Sequence, residues 1–176
     1  YVDISKCQDI RVPWFLQADE PGAIEQQWPA HIPTGEQQIA IKVEFRRWAP
    51  PTLVPSLSVR IQTYASQTTE WKNGLLATAI GYKLLLKLIT ESENEAVLLS
   101  IRGENLNKIW QVILPIQREM DALLDRWPGV IFSQAVLCPG CATKKLPDVT
   151  PHPDRWLYEV CPVSEILCNC VDTDPM

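Results

Sequence analysis

The sequence predicts an α+β fold in which an antiparallel β-sheet, organised as a meander, packs against one long kinked helix, with a cysteine-rich C-terminal extension. Apolar residues alternate with smaller or polar ones over residues 39–45, which is the period of a half-buried strand. From residue 106 onwards the apolar spacing changes to three or four, the period of an amphipathic helix. Five of the six cysteines lie within residues 138–176.

The first predicted strand covers residues 39–45, and residues 11–33 before it are expected to form irregular or short helical structure. Pro50 and Pro51 stop this strand because proline cannot donate a hydrogen bond to a neighbouring strand. Residues 55–64 then predict a short helical turn that leads into a helix or a strand.

A meander of three or four antiparallel strands is predicted over residues 71–102. The dipeptide Asn73-Gly74 favours a tight hairpin turn, and Gly81 opens the next turn. The acidic residues 91–95 predict a solvated turn before the last strand of the meander.

The long helix is predicted over residues 106–127, where apolar side chains fall on one face. Pro115 is expected to kink it because proline removes one backbone hydrogen bond. Pro128 and Gly129 end the helix, and residues 130–137 predict a final strand.

The composition is that of a globular chain: 176 residues, 46% hydrophobic and 21% charged, with a formal net charge of −5. The sequence has no dense basic stripe and no apolar run of roughly 20 residues, so neither a nucleic-acid partner nor a membrane span is expected. The chain does not start with Met and shows no signal-peptide pattern, and we therefore expect a domain excised from a longer protein. Tryptophans near prolines are expected to anchor the core at the ends of elements: Trp14, Trp28, Trp48, Trp127 and Trp156.

No catalytic motif is recognisable in the sequence, which lacks the phosphate loop, the dinucleotide-binding glycine pattern, the serine-hydrolase elbow and the zinc-protease helix. Its two histidines, His31 and His152, have no local signature of a catalytic base. The carboxylates of Glu91, Glu93 and Glu95 are more often a solvated turn than an acid–base pair. The expectation is a non-enzymatic protein.

The cysteine-rich extension, residues 138–176, predicts a structural zinc site. Cys138 and Cys141 are separated by Pro-Gly, and this spacing lets two sulfurs of one tight turn reach one metal ion. Cys168 and Cys170 would supply the other two ligands, although their spacing is tighter than usual for zinc. Two residues could each replace one of these four ligands: Cys161 and His152.

Three other interpretations of the cysteines stay open. Free structural thiols would need no partner, and disulfides would suit a smaller chain with less apolar material than this one. A thioredoxin-like redox site requires a helix after the Cys138–Cys141 turn, and the sequence from Lys144 to Pro147 does not favour one.

The order of motifs over residues 11–141 resembles the C-terminal half of the COR domain (COR-B) of Roco proteins, in which a COR domain accompanies the Ras-like GTPase domain Roc. No single motif is diagnostic, but the ordered set covers roughly three quarters of the chain. The segments that carry the resemblance are, in order, Val12–Leu16, Trp28-Pro29, the strand 39–45, Trp48–Pro55, Trp71–Gly74, the strand that ends Ile101-Arg102-Gly103, Ile109-Trp110, Leu123–Gly129 and Cys138–Cys141.

This resemblance implies a cytoplasmic, non-catalytic module that forms a homodimer and couples its self-association to the Roc GTPase domain of the same protein. It implies no nucleotide in this chain, and no catalytic residue of the family falls on this sequence. The resulting division is a COR-B-like domain over residues 1–137 and a cysteine-rich, zinc-stapled extension over residues 138–176. The alternative hypothesis is a zinc-stabilised protein-interaction module unrelated to GTPases.

Overall fold

A computed structural model describes residues 16–91, 93–137 and 156–158. Its main feature is one antiparallel sheet of seven strands. The strands are β1 Gln37–Phe45, β2 Gln67–Trp71, β3 Gly74–Ala79, β4 Tyr82–Glu91, β5 Asn94–Gly103, β6 Phe132–Leu137 and β7 Trp156–Tyr158, in the spatial order β2-β3-β4-β5-β1-β6-β7. The helices are α1 Ala23–Gln27, α2 Leu53–Ile61, which continues into a 3₁₀ turn at Gln62–Tyr64, and α3 Leu106–Leu124.

The main core lies between one face of the sheet and the helices α2 and α3. Alternation in β1 sends Ile39, Ile41, Val43 and Phe45 to this face, and all four are buried. Ile41 lies opposite Leu99 of β5, so the same apolar face continues across the sheet. The helices cover this face with side chains spaced three or four apart: Leu53, Leu57 and Ile61 of α2, and Ile109, Ile113, Ile116 and Met120 of α3.

The predicted fold class is wrong, because no long kinked helix packs against the sheet in the described part of the chain. The segment concerned forms α3, which has 19 residues, ends at Leu124 rather than at Trp127, and continues through Pro115 without a break. Pro115 cannot donate the helical hydrogen bond to the carbonyl of Gln111, which is an exposed residue of α3. The sheet dominates the architecture, and the cysteine-rich extension lies outside the described residues apart from the three of β7.

The turn between β2 and β3 lies one residue earlier than the Asn73-Gly74 turn that the sequence predicted. Trp71 pairs with Gly74, so Lys72 and Asn73 make the turn and Gly74 is already the first residue of β3. A Cβ atom at Gly74 would overlap the ring of Trp71 and lie 2.6 Å from the carbonyl oxygen of Leu86. Glycine is required here by close packing, whereas Gly81, with φ +83°, supplies the left-handed backbone of the next turn.

Arg102 holds the segment before β1 against the other face of the sheet. Its Nε donates to Oε1 of Gln38 at 2.5 Å, and its Nη1 donates to the carbonyl of Pro29 at 2.6 Å. Its guanidinium carbon lies 4.2 Å from the centre of the Trp28 ring, a cation–π distance. Burial lowers the pKa of Arg102 to about 10, against the opposing effect of Glu36, so the side chain is still a cation at neutral pH.

The Trp28 side chain also covers a second, smaller core on this face, formed by Ile24, Trp71, Leu76 and Leu85. Trp28 therefore does act as an anchor at the end of an element, as the sequence predicted for it. Within the described parts of the chain, no helix is long and apolar enough to cross a membrane.

Candidate functional site: an aromatic groove at one end of the sheet

A groove with a volume of about 930 Å³ lies at the end of the sheet where β1 ends and β6 begins. We call it the aromatic groove. Four connections meet there: the β1–α2 loop, the β2–β3 turn, the β4–β5 hairpin and the α3–β6 loop. Its lining residues are Trp48, Ala49, Pro50, Pro51, Thr52, Val54, Pro55, Ser56, Val59, Lys72, Asn73, Leu88, Glu95, Trp127 and Val130.

Glu95 fixes the loop that forms one wall of the aromatic groove. Its carboxylate accepts a hydrogen bond of 2.7 Å from the amide of Ala49, and its own amide donates to the carbonyl of Arg47 at 2.8 Å. Glu95 lies opposite Thr90 in the β4–β5 ladder, so it belongs to a strand and not to the predicted solvated turn. Its carboxylate therefore acts as a structural clamp between strands that are distant in sequence.

The α3–β6 loop is attached to the end of β1 and forms another wall. The amide of Arg46 donates to the carbonyl of Ile131 at 3.0 Å, and the rings of Phe45 and Phe132 lie 6.1 Å apart. Because this attachment holds the loop against β1, Trp127 and Trp48 line the same groove.

The groove presents large apolar side chains to solvent. Trp48 is 58% exposed, Trp127 is 41% exposed and Val59 is 57% exposed, and Ile131 and Phe132 beside the groove are also exposed. The prediction that Trp48 and Trp127 anchor the core is therefore wrong. An exposed cluster of this kind, as opposed to single scattered apolar residues, is typical of a contact surface.

The residues around the groove are mainly basic, although the whole chain is acidic. Arg46, Arg47, Lys72 and Arg126 are exposed, and none of their side chains makes an ion pair within residues 16–91 and 93–137. Exposed carboxylates lie at the same end of the sheet, Glu93 in the β4–β5 hairpin and Asp125 beside Arg126, whereas the Glu95 carboxylate is already engaged by the Ala49 amide. The groove thus combines an apolar floor with a basic rim, which suits an apolar peptide that carries acidic residues.

The residues predicted to bind zinc lie outside the described residues: Cys138, Cys141, Cys168 and Cys170, with the alternatives Cys161 and His152. Zinc binding therefore stays a prediction. Where the structure does describe the chain, no group of three or more His, Cys, Asp or Glu side chains is placed to hold a metal ion. Leu137, which precedes Cys138, ends β6 at the opposite end of the sheet from the aromatic groove.

The groove was not found from the sequence, although one signal was present. The segment Trp48–Pro55 combines a tryptophan with three prolines, and a proline-rich loop cannot be covered by a neighbouring strand. The segment was interpreted as the end of a strand, because the sequence does not show that the hairpin containing Glu95 comes to lie beside it.

Comparison with known proteins identifies the chain's relatives. The family model described as "C-terminal of Roc, COR-B domain" matches residues 36–161, a range that includes every residue that lines the groove. A Mus musculus protein named malignant fibrous histiocytoma-amplified sequence 1 homolog is 25% identical over 140 residues, which cover 75% of this chain and 13% of that protein. Its Xenopus tropicalis counterpart is 27% identical over 143 residues, covering 75% of this chain and 14% of that protein. The chain therefore spans only a small part of the length of these relatives.

Proposed function

The chain belongs to the COR-B domain family, the domains that lie C-terminal to Roc, and from this membership we propose that it is a non-catalytic scaffold that self-associates and regulates a Roc GTPase domain of the same polypeptide. The observation that carries the proposal is the family match over residues 36–161. A cytoplasmic location is part of the proposal, as is the assignment of all nucleotide chemistry to the Roc domain.

The surface of the domain supports a role in protein contacts. The aromatic groove joins exposed Trp48 and Trp127 to a basic rim, and clusters of exposed aromatic and arginine side chains are characteristic of interface centres. The ionisable side chains that line the groove are Lys72 and Glu95, and the Glu95 carboxylate is engaged by the Ala49 amide. This arrangement favours binding over acid–base chemistry.

Self-association is expected to appear as a reversible rise in mass with concentration. Light scattering of the 176-residue chain, from low to high micromolar concentration, should show the mass approaching that of two chains. A mass that stays at one chain throughout would overturn self-association for this chain, while leaving its family membership intact.

Coupling to the Roc domain is tested in the longer polypeptide that contains both domains. If self-association regulates the GTPase, the GTP turnover per chain depends on protein concentration over the same range in which the mass rises. A turnover that is independent of concentration, in a protein that does dimerise, would contradict the regulatory part of the proposal.

Structural zinc is a separate proposal, with Cys138, Cys141, Cys168 and Cys170 as ligands. Four thiolates complete a tetrahedral site, and such a site adds its binding free energy to folding. Metal analysis of the purified chain is expected to find one zinc ion per molecule, which Cys138→Ser and Cys168→Ser each abolish while lowering the melting temperature. Cys7→Ser, outside the cysteine-rich extension, is the matched control; a metal-free chain with six titratable thiols would exclude the site.

The family match also bears on the alternative hypothesis. A zinc-stabilised interaction module unrelated to GTPases is not favoured, because the matched family is named for its position after Roc.

A further inference from the structure

The cations around the aromatic groove are spread along its length. Lys72 lies in the β2–β3 turn and Arg126 in the α3–β6 loop, whereas Arg47 follows β1 between them. In the order β3-β4-β5-β1-β6, the two ends of this row are four strand spacings of about 4.8 Å apart, which is roughly 19 Å. A partner that pairs with the whole row therefore needs carboxylates distributed over roughly 20 Å.

The walls of the groove offer a partner little backbone with which to pair. The amide of Ala49 is already bound to Glu95. Three lining residues have no amide hydrogen: Pro50, Pro51 and Pro55. Four lining residues already accept hydrogen bonds from neighbouring amides through their carbonyls: Pro50, Thr52, Asn73 and Trp127. An extended partner would leave its own amides and carbonyls unpaired in this groove, whereas a helix pairs them internally.

The dimensions of the groove fit one helix. A helix of about 13 residues is roughly 20 Å long, so it reaches from Lys72 to Arg126. Apolar side chains at positions i, i+4 and i+7 lie on one face of such a helix, where they can contact the exposed rings of Trp48 and Trp127. The groove volume of about 930 Å³ lies within the range of ligand-binding clefts.

Charge disfavours two other occupants. In a symmetric contact with a second copy, Arg47 and Arg126 of both grooves would face each other, which places like charges together. A single-stranded nucleic acid carries a phosphate at every nucleotide, whereas the ionisable lining residues are Lys72 and Glu95 and the whole chain has a net charge of −5.

We propose that the aromatic groove binds an acidic amphipathic helix of a partner protein. The apolar face of this helix contacts Trp48 and Trp127, and its carboxylates pair with Arg47, Lys72 and Arg126. The contact goes beyond the proposed function, because it requires neither self-association nor a Roc domain. It is compatible with structural zinc, since Leu137, which precedes the first predicted zinc ligand, lies at the opposite end of the sheet.

Binding is measured by fluorescence anisotropy of dye-labelled peptides of about 14 residues, titrated with the full chain. The acidic peptide carries leucine on one helical face and glutamate on both sides of that face. One control peptide has lysine in place of every glutamate, and the other has proline at its centre. The acidic peptide is expected to bind at least about tenfold more tightly than either control. Because the whole chain is acidic, non-specific attraction would favour the lysine peptide instead.

Variants of the chain place the peptide in the groove. Trp127→Ala is expected to weaken binding of the acidic peptide at least about tenfold, as removal of a central aromatic contact does. Ile80→Ala is the matched control, since Ile80 is 87% exposed in the β3–β4 turn at the opposite end of the sheet, and it should leave binding unchanged. Circular dichroism checks that both variants are folded.

A charge exchange tests the rim. Arg47→Glu combined with Arg126→Glu is expected to weaken the acidic peptide and to strengthen the lysine peptide, so that the preference between the two is reversed. Arg118→Glu combined with Arg60→Glu alters the net charge equally, but on exposed positions of α3 and α2 that do not line the groove, and should preserve the preference.

Three results would overturn the proposal. The first is an acidic peptide that binds no more tightly than the lysine peptide. The second is a proline-containing peptide that binds as tightly as the acidic helix, which would assign the groove to an extended partner. The third is binding of the acidic peptide that Trp127→Ala leaves unchanged, which would place the peptide elsewhere on the surface.

Discussion

Arg102→Met is expected to lower the free energy of unfolding by about 3 kcal/mol. The substitution leaves two partly buried acceptors, the carbonyl of Pro29 and Oε1 of Gln38, without their donor, and it removes the cation from the Trp28 ring. Each partly buried acceptor left unpaired costs about 1–2 kcal/mol, and the ring contact contributes about 1 kcal/mol. Part of this loss is offset because the charge of Arg102 is no longer desolvated.

The measurement is urea unfolding followed by tryptophan fluorescence, with Arg60→Met as the matched control. Arg60 is exposed and has one ion pair, with Glu119 at 3.7 Å, so its loss should change stability by less than about 1 kcal/mol. If the two variants were equally stable, Arg102 would not be the attachment of residues 28–29 to the sheet.

Glu95→Ala is expected to lower the free energy needed to open the β1–α2 loop, one wall of the aromatic groove, by about 2 kcal/mol. The reason is that the partly buried amide of Ala49 loses a charged acceptor. The effect should be local. Hydrogen exchange of the Ala49 amide is expected to accelerate about thirtyfold, which is the same free energy expressed as a rate ratio, while the amides in the centre of β1 change much less.

Glu93→Ala is the control for this experiment, since Glu93 is an exposed neighbour in the same hairpin and makes no hydrogen bond or ion pair with the β1–α2 loop among the described residues. Equal protection of the Ala49 amide in the wild-type and Glu95→Ala chains would contradict the clamp.

The strands that the sequence predicted are those whose signal lies within the segment itself. The alternation over residues 39–45 marks most of β1, and the meander predicted over residues 71–102 lies where β3 to β5 are found. The strand β2, Gln67–Trp71, was missed except for Trp71. The signal for β1 is alternation, whereas the meander is marked by its turn residues and by apolar runs; each of these signals lies within the element that it predicts.

The errors come from contacts between segments that are distant in sequence. The helix was predicted three residues too long because Trp127 continues the apolar spacing of α3, although the chain uses it in the groove. Glu95 was interpreted as a solvated residue because its partner, the Ala49 amide, lies 46 residues away. The groove itself requires four loops to meet, and nothing in any one loop indicates the other three.

The position of β1 also has a consequence for the order in which the chain can assemble. The strands β2 to β5 pair with their sequence neighbours across short turns, whereas β1 lies between β5 and β6. Ile41 must meet Leu99 on one side and Val136 on the other, and closing such long loops costs more chain entropy than closing a hairpin. β1 is therefore an interior strand whose pairing on both sides closes long loops, and we expect it to pair after the β2–β5 meander has formed.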